Sequence, residues 1–308
     1  MSETRREMRK VGSRKIELSN LDKVLYPNDG ITKRDVIDYY DAIGFRMVPE
    51  VKDRPMTLER YPDGIAHGRV FTKAIPKYFP EWIARKTIKK SGGEVTHVVC
   101  NDRATLVYLA NQACLTQHIG LSRIDRIDRP DHMIFDFDPS TDDFAVVRNA
   151  ALRARELLED LGFHAFVKTT GSRGLHVMVP LARRDRFEDV RSFAYEIASF
   201  MAAEDPKRLT VEQRKVKRED RLFVDFMRNA YAQTAVAPYS LRARDGAPVA
   251  MPLEWDEVSE KKLTARRYTI RDAADVAEER DPWKGWRRYA RTIKDPRERF
   301  QKLFARAG

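Results

Sequence analysis

The sequence predicts a mixed α/β chain of the α+β kind, with a split βαβ core at its centre and a further α/β portion before it. Three observations lead there. Val147, Ala151, Ala154, Leu158 and Leu161 recur at helical spacing over Phe144–Leu161, and Val190, Ala194, Ile197 and Met201 do so over Phe187–Ala203. Four short apolar runs alternate with these helices: Met133–Asp138, His164–Lys168, Gly174–Leu181 and Arg221–Phe226. The resulting order, β-α-β-β-α-β, is that of an RRM-like motif whose first and last strands are neighbours.

Met1–Ser13 is polar and charged, and reads as a mobile tail over 1–13. The remainder, 14–308, reads as a single domain. It has an N-terminal portion (14–130), the core (131–255) and a charged helical C-terminal region (256–308). Arg14–Leu18 reads as a short strand and Asp22–Gly30 as a loop, with Pro27-Asn28-Asp29-Gly30 as its turn signal. Thr32-Lys33-Arg34-Asp35 has the form of a capped helix start, followed by Val36, Tyr39, Tyr40, Ile43 and Met47 at helical spacing. Val95–Cys100 reads as a strand and Asp102–Cys114 as a helix. Gly162 is a helix stop, Thr169–Arg173 a turn, and Asp275–Gly308 exposed helix.

With 308 residues, 42% hydrophobic and 34% charged, the chain is neither collagen-like nor low in complexity. Its net charge of +11 favours an acidic partner such as nucleic acid. Two cysteines, Cys100 and Cys114, cannot form a disulfide framework and read as core. No secretory signal is visible, and the longest uncharged run, Ala104–Ser122, is too polar to span a bilayer. The expectation is a soluble, cytoplasmic protein without a membrane partner.

Chemistry concentrates at three places. In Ile134-Phe135-Asp136-Phe137-Asp138-Pro139 the alternation of a strand puts Asp136 and Asp138 on one face. Two carboxylates there repel each other unless a divalent cation such as Mg²⁺ or Mn²⁺ joins them. An isolated Asp-x-Asp is more often a strand end emerging into solvent. Leu222-Phe223-Val224-Asp225-Phe226 adds a third carboxylate, and the strand order lets Asp225 meet the other two. That is the layout of two-metal phosphoryl transfer. In Lys168-Thr169-Thr170-Gly171-Ser172-Arg173-Gly174-Leu175-His176, turn amides, hydroxyls and cations can cradle phosphates, although no Walker A pattern occurs. Basic and aromatic residues also interleave at Phe71-Thr72-Lys73 and Lys77-Tyr78-Phe79, as in strand-tracking surfaces.

Taken together, these segments resemble the polymerase domain of bacterial ligase D, in the archaeo-eukaryotic primase superfamily. The resemblance runs from Asn20-Leu21-Asp22-Lys23 through Arg60-Tyr61-Pro62-Asp63-Gly64, Asp136-Phe137-Asp138-Pro139 and Gly171-Ser172-Arg173-Gly174-Leu175-His176. It continues to Phe223-Val224-Asp225 and Ala237-Pro238-Tyr239-Ser240-Leu241-Arg242, covering about Arg14–Trp255. It implies a primase-polymerase fold and a nucleotidyltransferase that extends DNA 3′ ends at gaps or breaks, using Mn²⁺ or Mg²⁺, with two ions expected. Carried over by position, Asp136, Asp138 and Asp225 are metal ligands. His118, Thr170, Ser172, Arg173, His176, Arg242 and Arg244 contact the incoming NTP or dNTP. Asn20, Lys23 and Lys33 hold a downstream 5′-phosphate, Phe71 stacks on the template, and Lys73 adds a DNA contact. A DNA ligase or a Ku-type end-binding protein would be the macromolecular partner. Thr170 stands where the family usually has Ser, Arg173 where it has Lys, and Val70 where it often has a second Phe. Two rival readings are a non-catalytic RRM-like nucleic-acid-binding module and a metal-dependent nuclease. The anionic strand face argues against the first and the phosphate cradle against the second.

Overall fold

A computed structural model describes residues 6–90 and 92–307. The chain divides into two compact units, each assembled from segments distant in sequence. Strands and helices are numbered below along the whole chain.

The first unit comprises the chain up to Gly120, then Thr234–Met251 and Tyr268–Arg280. It opens on a hairpin of β1 (Arg6–Val11) and β2 (Arg14–Ser19), turning at Gly12, whose φ of +59° suits glycine. The tail expected over 1–13 is therefore a strand from Arg6, and residues 1–5 lie outside the described residues. Alternation explains the difference: Val11, Ile16 and Leu18 are buried between exposed charged residues. β3 (Val24–Tyr26) and β4 (Ile31–Thr32) pair around the Pro27–Gly30 turn, so the expected loop contains a short strand.

α1 (Lys33–Ala42) starts at the predicted capping box. The Asp35 amide donates to Thr32 Oγ1 at 3.3 Å, and the Thr32 amide donates to Asp35 at 2.7 Å. α2 (Gly44–Val51) follows, and Val36, Tyr40, Ile43 and Met47 are fully buried. The main sheet is formed by β5 (Pro55–Arg60), β6 (Val70–Thr72), β7 (Arg85–Lys90), β8 (Gly93–Val99), β9 (Cys114–Gly120) and the later β15 (Thr234–Val236). Its order is β15-β9-β5-β8-β7, with β6 also on β5. α3 (Arg103–Asn111) stops before Cys114, where a continuous helix was expected. Ala113 takes φ +54° and its carbonyl accepts the Tyr61 amide at 2.8 Å, because pairing of Cys114 with Arg60 draws the chain into the sheet. α7 (Ala273–Glu279) completes the unit. Cys100 and Cys114 are free and buried, as expected.

The second unit comprises Leu121–Gln233, Pro252–Arg267 and the chain from Asp281 onward. Its elements are β10 (His132–Asp138), α4 (Phe144–Asp160), β11 (Phe166–Thr169), β12 (Leu175–Pro180), α5 (Phe187–Glu204), β13 (Leu209–Thr210), β14 (Leu222–Asp225), β16 (Pro252–Leu253), α6 (Trp255–Ser259) and α8 (Lys294–Ala307). The sheet order is β13-β14-β10-β12-β11-β16. Its four central strands reproduce the split βαβ order, with β10 and β14 adjacent and antiparallel. α4 packs on β10 and β12, and α5 on β10, β13 and β14, through the predicted apolar stripes. The charged C-terminal region is less exposed than expected. Trp283, Trp286, Ile293 and Phe300 are buried, and Trp283 donates its indole N–H to the Val167 carbonyl at 3.1 Å. Single large apolar residues spaced among many charges leave little periodic trace.

Candidate active site

Asp136 sits mid-row across the sheet of the second unit. It lies opposite His176 on β12 and opposite Asp225 on β14, while His176 lies opposite Lys168 on β11. Directly opposed residues share a face, so Lys168, His176, Asp136 and Asp225 project from one side of the sheet. His176 Nε2 is 3.4 Å from Asp136 Oδ1. Arg228 Nε is 3.6 Å from Asp136 Oδ2 and 3.4 Å from Asp225 Oδ2.

The strand stays in register beyond the last β10–β14 pair because buried Asn229 extends the ladder. It accepts the Ile134 amide at 2.9 Å and donates to the Ile134 carbonyl at 2.7 Å and the Phe226 carbonyl at 2.9 Å.

Charge is unevenly shared between the two facing carboxylates. Burial works against ionised Asp136, but His176, Arg228 and Lys168 outweigh it and hold its pKa well below the usual carboxylate range. Asp225 is pushed up to about 6, first by burial and then by the charge of Asp136. His176 is pulled down to about 4, by burial first and by Lys168 second. Its Nδ1 is buried without a hydrogen-bond partner among the described residues.

Asp138 behaves differently from the expectation of three converging carboxylates. It pairs with Arg173 at 3.0 Å and Arg218 at 3.4 Å. Among the described residues no three His, Cys, Asp or Glu side chains stand arranged around a common metal position. The donor chemistry nevertheless fits a hard divalent cation. Asp136 and Asp225 are opposed, nearly buried oxygen donors whose mutual repulsion a cation would relieve, and Asp138 is two residues along the same face. Arg173, expected on the triphosphate, is here the ion-pair partner of Asp138. The turn before His176 is internally organised. Thr170 Oγ1 accepts the Gly174 amide at 3.1 Å and the Ser172 amide at 3.2 Å, and it donates to the Gly174 carbonyl at 3.1 Å. Thr170 thus shapes the loop, while Ser172 is half-buried at its tip. Arg266 donates to the Ser172 carbonyl at 2.9 Å.

The first unit gathers the other nucleotide candidates. His118 on β9 pairs with buried Glu59 on β5 at 3.1 Å. The segment leading to Arg242 is tied to β9, where the Thr116 hydroxyl donates to the Leu241 carbonyl at 2.9 Å, whereas Arg244 is exposed. The segment carrying Arg242 is fixed by tyrosine hydroxyls: Tyr39 donates to the Tyr239 carbonyl at 2.7 Å and Tyr26 to the Arg242 carbonyl at 3.0 Å. Tyr239 itself takes φ +65°, a strained backbone that such bonds hold in place. Phe71 is 46% exposed, available for stacking, with the Lys73 ammonium 5.8 Å from its ring.

The 5′-phosphate candidates also converge. Asn20 occupies φ +53°, and its carbonyl accepts the Lys23 amide at 3.1 Å. The Lys33 amide donates to the Lys23 carbonyl at 2.8 Å. Lys33 Nζ donates to the Ser19 carbonyl at 2.6 Å, and Lys23 Nζ to Asp63 at 2.7 Å. Burial and, after it, the neighbouring Lys23 charge pull Lys33 down to about 8.

Sequence reasoning missed Glu59, Arg228 and Asn229. Their bonds depend on strands paired across long separations, which no local motif marks. Lys168 was noted only as part of a basic turn, and its place in the row with His176, Asp136 and Asp225 follows from register.

Residues 32–283 match the family described as LigD, primase-polymerase domain. The chain is 35% identical over 257 residues to the multifunctional non-homologous end joining protein LigD of Mycolicibacterium smegmatis, covering 82% of this chain and 34% of that protein. It is 32% identical over 263 residues to the bifunctional LigD of Bacillus subtilis, covering 85% of this chain and 42% of that protein. The chain therefore spans less than half the length of these curated relatives. Among solved structures, the polymerase domain of Mycobacterium tuberculosis ligase D in complex with DNA superposes with a TM-score of 0.83 at 29% identity, over 89% of this chain and 99% of that one. By sequence over most of its length, and by an α+β fold shared at that level, this chain belongs to the LigD primase-polymerase domain family.

Proposed function

We propose that this chain is a metal-dependent nucleotidyltransferase that adds ribo- or deoxyribonucleotides to DNA 3′ ends at gaps or breaks, in end joining or gap-filling repair. The observation that carries the reading is the opposed pair Asp136–Asp225 with His176 beside it. Asp136, Asp225 and Asp138 would hold Mn²⁺ or Mg²⁺, two ions in this reading, which when bound would activate the 3′-hydroxyl and neutralise the triphosphate. Asp136, kept ionised by its cationic neighbours, is ready as a ligand across the physiological pH range. His176, held largely neutral, offers its unpartnered Nδ1 without adding charge. Ser172, His118, Arg242 and Arg244 are the nucleotide contacts of this reading, while Thr170 keeps the turn in shape. Phe71 stacks on the template, with Lys73 on the adjacent backbone. Asn20, Lys23 and Lys33 bind the downstream 5′-phosphate, with two ammonium groups to meet its charge.

In this reading 14–308 works as one catalytic domain, at the nucleoid, alongside a DNA ligase or a Ku-type end-binding protein. No helix among the described residues is long and apolar enough to cross a membrane. The test is labelled-primer extension on gapped DNA, with and without a 5′-phosphate, with NTPs and dNTPs. Growth supports the proposal, shortening replaces it with a nuclease, and binding without change replaces it with a passive module.

A further inference from the structure

Glu59 is a buried acid that the metal and phosphate contacts leave unused. It lies on β5 with its side chain only 9% exposed, and its two oxygens receive donors from three separate segments. His118 Nε2 on β9 is 3.1 Å away, Arg69 Nη1 just before β6 is 3.3 Å away, and the Tyr61 hydroxyl is 3.3 Å away. A carboxylate only accepts, so His118 must carry its proton on Nε2, which fixes both the tautomer and the ring plane.

The other end of this network reaches the stacking ring. Arg69 lies 5.8 Å from the Phe71 ring centroid, and the Phe71 ring lies 6.4 Å from His118. Phe71 is also directly opposite Glu59 in the β5–β6 register. Burial raises the Glu59 pKa, but the His118 bond and the charges of His118, Arg242 and Arg69 more than reverse this, so the group is anionic near neutrality. Removing that charge would take from His118 Nε2 and Arg69 Nη1 the anionic acceptor that they share.

We propose that Glu59 is a positioning residue that fixes His118 directly and Phe71 through Arg69 as one patch, so that nucleotide contact and template stacking are set together. This rests on the roles given to His118 and Phe71 above. A nucleotide aligned against a correctly stacked template would then depend on an acid that touches neither.

The experiment uses the full chain with gapped DNA carrying 2-aminopurine at the templating position. Glu59→Gln keeps the shape and removes the charge, and Glu59→Asp keeps the charge on a shorter arm. Phe71→Ala and His118→Ala are the reference variants. For Glu59→Gln the KM of the templated nucleotide should rise about 5- to 10-fold, the size of roughly one neutral hydrogen bond, with kcat within about twofold. The fluorescence quench on DNA binding should fall toward the Phe71→Ala value. Glu59→Asp should recover part of both readouts, at a melting temperature close to wild type. Should Glu59→Gln fold poorly, Glu59→Asp is read alone, with an intermediate KM and quench expected. Unchanged KM and quench in a folded Glu59 variant, with Phe71→Ala and His118→Ala each altering its own readout, would overturn the proposal alone. If neither reference variant changes anything, the reading of the patch fails and takes the proposal with it.

Discussion

Replacing Gly174 by alanine tests whether the catalytic strand is held as tightly as its surroundings require. Gly174 joins the Thr170 turn to β12. Both its amide and its carbonyl are bonded to Thr170, at 3.1 and 3.0 Å, so its backbone has little freedom. A Cβ built there would lie 2.0 Å from the Phe137 carbonyl oxygen and 3.0 Å from the Phe137 carbonyl carbon. Carbon and oxygen in ordinary contact stay about 3.3 Å apart, so more than about 1 Å must be found. Phe137 sits between Asp136 and Asp138 on a strand paired on both sides, so the displacement falls on the carboxylates or on the turn.

Overpacking of this kind costs about 1–3 kcal/mol. For a chain of this size that lowers the melting temperature by roughly 1.5 °C per kcal/mol. A misplacement of about 1 Å at a reacting centre costs on the order of 100-fold in rate. Extension of gapped DNA under saturating nucleotide, with calorimetry on the same preparation, reads both quantities. Gly68→Ala, where nothing lies within 4 Å of the added carbon, is the control and should leave both unchanged. A Gly174→Ala protein with wild-type rate and melting temperature would refute the claim that this contact sets the carboxylates.

Three further outcomes follow from the same geometry. Asn229→Ala should lower stability to urea by roughly 2–4 kcal/mol, because the Ile134 amide and carbonyl lose their partner at once, while the Phe226 carbonyl keeps the backbone amide of residue 229; a loss below about 1 kcal/mol would mean that β10 is pinned elsewhere. Asp136→Ala and Asp225→Asn should each remove nucleotide addition on gapped DNA while circular dichroism stays unchanged, and robust extension by either would remove that residue from the metal set. Lys33, lowered to about 8 in the folded chain against 10.5 for the free group, gives a sign that can be checked. From about pH 8 to 10.5 the unfolded chain holds the proton that the folded chain has released, so stability should rise with pH in that window, and this rise should be absent in Lys33→Met. The preference for a 5′-phosphate over a 5′-hydroxyl, measured by gapped-DNA binding, should fall as pH passes about 8; a preference constant from pH 7 to 9.5 would exclude the Lys33 charge.

Local sequence marks were enough for several elements. The Thr32–Asp35 box starts α1, the stripes Val147–Leu161 and Val190–Met201 become α4 and α5, and the four apolar runs become β10, β11, β12 and β14. They were legible because helical and strand periodicity, caps and strand order act within a few residues or follow from connectivity. The placement of Asp225 opposite Asp136 was legible for the same reason, since the split βαβ order makes those strands neighbours. The first unit was less legible. β5, β9 and β15 pair across long stretches of chain, and Cys114 leaves a helical pattern because a sheet partner is present.

By itself, then, the sequence determined the core topology, the family resemblance and the meeting of Asp225 with Asp136. Only the tertiary structure decided where the charges go. It paired Arg173 with Asp138 instead of leaving it free, turned the Thr170 hydroxyl inward, buried Lys168 beside His176, and gave Glu59 to His118. The physical reason is range. A cap or a stripe is settled by neighbours along the chain, whereas a buried charge is settled by whichever opposite charge folding brings within a few ångströms, and nothing local in the sequence records that distance.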